Sequence, residues 1–203
     1  MDTKQTKSES TNEEISLNVN HEKIRASQNK LKNYGILIIV WGYAMSISCL
    51  CNYLNEVLFL PNRVHGILKF ANPLLPIIAL GFTIFYIIRQ KKKVTTYIGL
   101  SLRYIWIAFF ISLMLTNLII FNVLHEVNFT LQHPIFMVIT AFSIVVSGII
   151  LRYRLIILGG IVFGALAYIC SYFVLRDQML LDAIAWFIAL VIPGHLMYFK
   201  RER

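Results

Sequence analysis

Charge is what this chain has least of, and six long stretches of it contain no Asp, Glu, Lys or Arg at all. Charged residues make up 14% of the 203 residues, and hydrophobic residues make up 58%. This composition leaves no room for a separate soluble domain beside six apolar stretches. The uncharged windows are 33–55, 70–88, 104–125, 127–151, 155–175 and 183–199.

Each window has about the length that a helix needs to cross a membrane. Roughly 20 apolar residues cover a hydrocarbon layer of about 30 Å, and backbone groups in lipid must be paired internally. The last window is short, but Leu180 and Leu181 can extend it outward past Asp182. The sequence therefore predicts an all-α fold, an integral membrane bundle of six transmembrane helices.

Cysteine and catalytic motifs are also scarce. The three cysteines, Cys49, Cys51 and Cys170, all fall inside predicted spans, so neither a disulfide framework nor a CxxC metal site is available. Small apolar packing residues are the better interpretation of all three. There is no GxSxG nucleophile elbow, P-loop or pair of glutamates of the intramembrane-protease kind. We therefore assign no catalytic and no cofactor-binding residues and expect no cofactor, which argues against an enzyme.

Positive charge is abundant, and it is confined to alternate gaps between the windows. Of the 19 Lys and Arg residues, all but Arg63, Lys69 and Arg176 lie on one predicted side. Because Lys and Arg are retained in cytoplasmic loops, both termini are predicted to be cytoplasmic (N-in/C-in). The net charge of +9 thus reflects topology, and we expect no nucleic-acid partner.

Three regions follow along the chain. Residues 1–33 form a polar cytoplasmic tail, residues 34–199 the transmembrane domain, and residues 200–203 a basic cytoplasmic C-terminus. In the tail, Leu17, Ile24 and Leu31 recur every seven residues. That spacing is consistent with an amphipathic helix on the lipid surface, with a docking segment for a cytoplasmic protein partner, or with a simple lead-in to helix 1.

Polar residues form stripes at helical spacing on three of the predicted spans. They are Ser48, Asn52 and Asn55 on helix 1, Ser112, Thr116 and Asn117 on helix 3, and Thr140, Ser143 and Ser147 on helix 4. Such residues usually face the bundle interior and form interhelical hydrogen bonds. Packing is the favoured interpretation, and a polar path for a solute is the alternative.

Small residues and proline mark the last two spans. Gly160 and Gly164 form a GxxxG pair, which predicts a close helix contact within the chain or, in a homo-oligomer, between chains. Pro193 with Gly194 should bend or end helix 6. Trp186, like the other two tryptophans, lies near a span end, where indoles anchor to the interface.

Ionisable residues gather on the predicted outer face. They are Glu56, His65, His125, Glu126, His133, Asp177 and Asp182. Glu56, His125 and Asp182 are the candidate metal ligands among them, but no pair has a diagnostic spacing, and solvated loop residues are the better interpretation. Asp182 sits where helix 6 is predicted to begin, where a carboxylate suits the helix dipole.

Short motifs in a fixed order resemble an uncharacterised family of short six-span inner-membrane proteins common in Bacteroidota. Over residues 30–199 the motifs are Trp41-Gly42-Tyr43, Lys92-Lys93-Val94-x-Thr96-Tyr97-Ile98, Tyr104-Ile105-Trp106, Leu158-Gly159-Gly160 and Ile192-Pro193-Gly194-His195. The resemblance implies a bacterial inner-membrane location, and it implies no activity and no site residues.

Three functional hypotheses follow. The first is a non-enzymatic regulatory or accessory subunit that contacts protein partners at its cytoplasmic face. The alternative is a small transporter or channel with a polar path lined by helices 1, 3 and 4. The third, a membrane enzyme or metal-binding protein, depends on the outer-face carboxylates and histidines.

Overall fold

Every element that the structure describes is helical. The computed structural model describes residues 34–58, 62–90 and 97–199. The helices are α1 (Tyr34–Val57), α2 (Asn62–Gln90), α3 (Tyr97–Leu124), α4 (Phe129–Leu151), α5 (Arg154–Cys170), α6 (Leu175–Trp186), a π-helical turn (Phe187–Val191) and α7 (Ile192–Phe199). The predicted all-α class is confirmed for these residues. The predicted cytoplasmic tail 1–33 and the basic C-terminus 200–203 lie outside them.

Four helices in the described part of the chain are long and apolar enough to cross a membrane. They are α1, the segment Gly99–Leu124 of α3, α4, and the continuous helix Leu175–Phe199 formed by α6, the π turn and α7. The apolar part of α2, Pro73–Tyr86, and the whole of α5 are shorter. At 1.5 Å per residue, the 17 residues of α5 extend about 26 Å. Helix length and composition therefore favour a membrane protein.

Glycines bring α4 and α5 together as a tight antiparallel hairpin. Arg152 ends α4 in the left-handed region, with φ 52°, and its N–H donates to carbonyl oxygens of the last turn. A Cβ on Gly160 would lie 2.6 Å from Cγ2 and 2.9 Å from the backbone nitrogen of Val145. The close contact predicted for Gly160 is thus made within the chain. Gly164 has more room, with Ala141 Cβ at 3.5 Å.

The last helix continues through Pro193 instead of ending there. The five residues before Ile192 widen into a π turn, closed by the Ile192 N–H donating to the Phe187 carbonyl. Pro193 has no N–H for the Ala189 carbonyl, so a regular α-helix would lose a bond at this point in any case. The π turn packs on α5, where a Cβ on Gly159 would lie 2.8 Å from both Cα and O of Ala189.

Helix α1 runs antiparallel to this last helix along its length. Gly35 faces Gly194, Gly42 faces Leu190 and Val191, and Ser46 Oγ donates to the Ala183 carbonyl at 2.8 Å. The residue numbers of these contacts rise along α1 and fall along the last helix. As a result, the C-terminal end of α1 lies beside the N-terminal half of α6.

Helices α2 and α3 lie at the periphery of the bundle and expose broad apolar surfaces. Trp41 of α1 stacks on Trp106 of α3 at 6.5 Å, and its Nε1 donates to Thr83 of α2 at 2.9 Å. Side chains such as Phe70 and Met114 are 76% and 68% exposed, as expected of lipid-facing surfaces. The interface position predicted for Trp186 is wrong, because its indole is 4% exposed and packs edge-on against Phe163 in the core.

Candidate functional site

A buried carboxyl group lies inside the bundle at the end where α1 stops and α4 and α6 start. It belongs to Asp182, which is 6% exposed. The prediction that helix 6 begins at Asp182 is wrong, because α6 begins at Leu175, seven residues earlier. The charges of Arg176 and Asp177 pair with each other at 3.1 Å in the first turn, so they do not prevent the helix from starting there. Asp182 consequently lies about 10 Å along the helix.

The first partner of this carboxyl group is a cysteine on α1. Cys49 Sγ donates to Asp182 Oδ2 at 3.3 Å, and the Cys49 residue is 8% exposed. A thiol is a weak donor, but in a core of low dielectric even a weak donor helps to stabilise a carboxylate. The interpretation of Cys49 as an apolar packing residue is therefore incomplete.

The second partner is a histidine on α4. His133 Nε2 lies 3.4 Å from Asp182 Oδ2, which is within ion-pair distance but long for a hydrogen bond. The histidine side chain is 22% exposed and the carboxyl 8%. Asp182 thus joins α1, α4 and α6 at one point.

Amide side chains surround this group toward the helix ends. Gln178, one turn before Asp182, is fully buried, and its Nε2 donates to the backbone carbonyls of Phe173 at 2.9 Å and Thr130 at 3.1 Å. Gln132, next to His133, donates to Asn117 Oδ1 of α3 at 2.8 Å. These bonds fix the starts of α4 and α6 to each other and to α3.

Several buried polar atoms at this end of the bundle have no hydrogen-bond partner among the described residues. They are Asp182 Oδ1, Gln178 Oε1, Gln132 Oε1, Asn55 Oδ1 and the ring nitrogen His133 Nε2. An unsatisfied buried acceptor costs about 1–3 kcal/mol. Such atoms are normally found where water or another donor reaches the protein interior. Their concentration here indicates a polar site and not only a packing contact.

The three candidate metal ligands occupy different environments. Asp182 is buried with Cys49 and His133, whereas Glu56 is exposed near the end of α1. His125 is exposed in the turn after α3, with φ 54°. Among the residues that the structure describes, no three His, Cys, Asp or Glu side chains form a group that could hold a metal ion. The side chain of His65 is outside that part of the chain.

Only some residues of the predicted polar stripes lie near the site. Thr140 and Ser143 of α4 are buried, but their hydroxyls donate to carbonyl oxygens one turn earlier in their own helix. Thr116 of α3 does the same. Asn117 of α3 and Asn55 of α1 are the stripe members whose side-chain oxygens lie toward the polar end.

Sequence reasoning included Asp182 and His133 in the outer-face group but missed their burial and the role of Cys49. A usable signal was the spacing of Gln178 and Asp182, four residues apart and hence on one face of a helix that starts before both. No comparable signal marks Cys49, because its partner lies 133 residues further along the chain.

Comparisons with known proteins add no relative: no family model matches the chain, and neither a curated protein nor a solved structure matches it significantly. Inference about function therefore depends on the site itself. The site can bind and release a proton, because it places a carboxyl group and an imidazole within 3.4 Å of each other in an apolar bundle.

Proposed function

We propose that the protein is a small proton transporter of the bacterial inner membrane, with six spans and both termini in the cytoplasm. One observation carries this proposal: the Asp182 carboxyl is buried where α1, α4 and α6 meet. Ionisable groups within membrane helices are costly, and they commonly mark proton or ion pathways. We therefore favour the transporter hypothesis over the accessory-subunit hypothesis.

The six spans would be α1 to α5 and the continuous helix formed by α6 and α7. The shorter apolar parts of α2 and α5 fit if the bilayer thins locally around them, which costs a fraction of a kcal/mol per ångström. The alternating distribution of Lys and Arg supports cytoplasmic termini. The resemblance to six-span proteins of Bacteroidota supports the inner membrane.

The proton would be taken up on Asp182 Oδ1. This atom accepts no hydrogen bond from the residues that the structure describes, whereas Oδ2 already accepts the Cys49 thiol. A proton on Oδ1 therefore leaves the contact between α1 and α6 intact. Transfer to His133 would require the carboxyl group to rotate, because Nε2 lies 3.4 Å from Oδ2 and the proton is on Oδ1.

The unsatisfied acceptors suggest the side from which protons arrive. Asn55, Gln132 and Gln178 each lie within two turns of a site residue, toward the helix ends on the predicted outer face. Water bound to their oxygens would connect that face with Asp182.

Proton flux into liposomes tests the proposal. The full chain is reconstituted with a pH-sensitive dye inside, and a potassium gradient with valinomycin imposes a membrane potential. We expect flux above that of empty liposomes, and we expect Asp182→Asn to reduce it to the empty-liposome level. Asp177→Asn is the matched control, because Asp177 lies on the same helix but pairs with Arg176 outside the site.

Two outcomes would contradict the proposal. One is a flux of the unaltered chain equal to that of empty liposomes at both polarities of the potential. The other is equal flux in Asp182→Asn and Asp177→Asn. Circular dichroism of the reconstituted variants separates loss of flux from loss of helical structure.

The apolar surfaces of α2 and α3 favour a second candidate, a non-enzymatic accessory subunit. Such surfaces can cover a partner's membrane helix as well as lipid, and the predicted tail 1–33 would add a cytoplasmic contact. Crosslinking in native membranes followed by purification tests this candidate. Recovery of the chain without a stoichiometric partner would count against it.

A further inference from the structure

We infer that the turn between α4 and α5 binds the headgroup of an anionic phospholipid. An open cleft of about 570 Å³ lies at this turn, lined by Arg152, Tyr153, Arg154, Leu155, Leu196 and Phe199. It occupies the opposite end of α4 from His133, about 28 Å away along the helix. This inference is therefore independent of the proposed proton site.

The charge on the side chains that line the cleft is positive. Arg152 and Arg154 are both exposed, and neither forms an ion pair within the described ranges 34–58, 62–90 and 97–199. Guanidinium groups bind phosphate with two parallel hydrogen bonds, which makes arginine well suited to a phosphodiester. Arg152 and Arg154 are separated by one residue in the turn between α4 and α5, so their two guanidinium groups can hold a single phosphate group.

The other wall of the cleft is apolar, which distinguishes a lipid from a free anion. Leu155, Leu196 and Phe199 are 40%, 50% and 70% exposed, and they border the two arginines. A phosphate ion would leave this apolar surface in water. A phospholipid would place its phosphate on the arginines and its first acyl carbons on Leu196 and Phe199, so both halves of the cleft have a partner.

The position of the cleft fits an occupant from the membrane. α4 is long and apolar enough to span a bilayer and ends at Leu151, which places Arg152 and Arg154 at the level of the headgroups. Basic clusters between transmembrane helices at this level are a known arrangement for anionic lipid headgroups. The predicted topology places the turn in the cytoplasmic leaflet.

Native mass spectrometry of the full chain in detergent provides the test, with phosphatidylglycerol and phosphatidylcholine of the same acyl chains as probes. We expect preferential binding of phosphatidylglycerol and about a tenfold loss of affinity in the double variant Arg152→Ala/Arg154→Ala. The double variant Arg89→Ala/Arg103→Ala is the matched control. It removes the same charge from exposed arginines on the same predicted side, outside the cleft.

Further arms distinguish the headgroup of a lipid from a free anion. Leu196→Ser/Phe199→Ser should also weaken phosphatidylglycerol binding, and inorganic phosphate at equal concentration should not displace the lipid. Equal losses in the two arginine pairs, equal binding of the two lipids, or full displacement by inorganic phosphate would each overturn the inference. Arg152→Lys/Arg154→Lys keeps the positive charge but removes the forked guanidinium groups. If this variant stays folded and still binds phosphatidylglycerol more weakly, the loss reflects the guanidinium geometry and not unfolding.

Discussion

The thiol of Cys49 on α1 donates to the carboxyl group of Asp182 on α6 across 3.3 Å, and it does so inside a membrane-type helix bundle. This contact lies at one end of the long antiparallel packing of α1 against the last helix. The contact therefore ties the Asp182 carboxyl to the packing between these two helices. If the protein transports protons, a helix movement that breaks this contact would change the environment of the carboxyl group that binds them.

Removal of the thiol tests how much this contact contributes to the stability of the protein. Cys49→Ala leaves Asp182 Oδ2 without its donor, so we expect the free energy of unfolding to fall by about 1–3 kcal/mol. Cys51→Ala is the control, because Cys51 lies on the same helix, is only half-buried and is not part of the site. Denaturant titration in detergent measures both. Equal effects of the two variants would show that the thiol only packs.

The pair of His133 and Asp182 should be energetically coupled. A double-mutant cycle with His133→Gln and Asp182→Asn is expected to give a coupling energy of roughly 0.5–3 kcal/mol, because the two groups touch where water is largely excluded. Arg176 and Asp177 are the control pair, and their exposed contact should show no measurable coupling in the same assay. Additivity of the His133 and Asp182 variants would remove the histidine from the site.

The close contact between α5 and the π turn predicts a strong effect of one methyl group. A Cβ on Gly159 would meet the backbone of Ala189 at 2.8 Å, and a backbone cannot rotate away as a side chain can. We expect Gly159→Ala to destabilise the protein by about 1–3 kcal/mol. Gly81→Ala, on α2 with nothing within 4 Å of the new methyl group, should be neutral or slightly stabilising. Thermal unfolding in detergent checks the difference.

One hydroxyl group links α2 to the bundle. Thr83 Oγ1 donates to the Ala79 carbonyl and accepts from Trp41 Nε1, so Thr83→Val leaves a partly buried indole N–H unpaired. We expect faster amide hydrogen exchange along α2 in this variant. Thr116→Val is the control, because the Thr116 hydroxyl donates to the Ser112 carbonyl of its own helix. No change in the exchange of α2 would show that lipid, and not this bond, holds the helix in place.

The helical class could be predicted from sequence because long uncharged windows have few other solutions in a membrane. Helix limits were less predictable, since each window was ended at its first charge. Arg176 and Asp177 lie within the first turn of α6, and Arg63 and Lys69 lie within α2, so both helices start earlier than predicted. Charges near helix ends can reach the interface, and they do not have to end a helix.

The ionisable residues of the site could be predicted from the sequence, but the contacts between them could not. Asp182 and His133 stood out as charged or titratable groups next to apolar windows, whereas Cys49 looked like any small residue in a span. Its contact with Asp182 depends on the register of α1 against the last helix, and Gly35 and Gly42 contribute to that register through close contacts with α7 and the π turn. That register is a property of the packed bundle and leaves no mark in a single sequence.

Infrared spectroscopy of the reconstituted protein tests most directly whether Asp182 binds a proton inside the bundle. Difference spectra between alkaline and acidic buffer report the C=O stretch of a carboxyl group when it becomes protonated. We expect a band from a buried carboxyl in the unaltered chain and in Asp177→Asn, and its loss in Asp182→Asn. Persistence of the band in Asp182→Asn, with helical structure retained, would contradict the proposal.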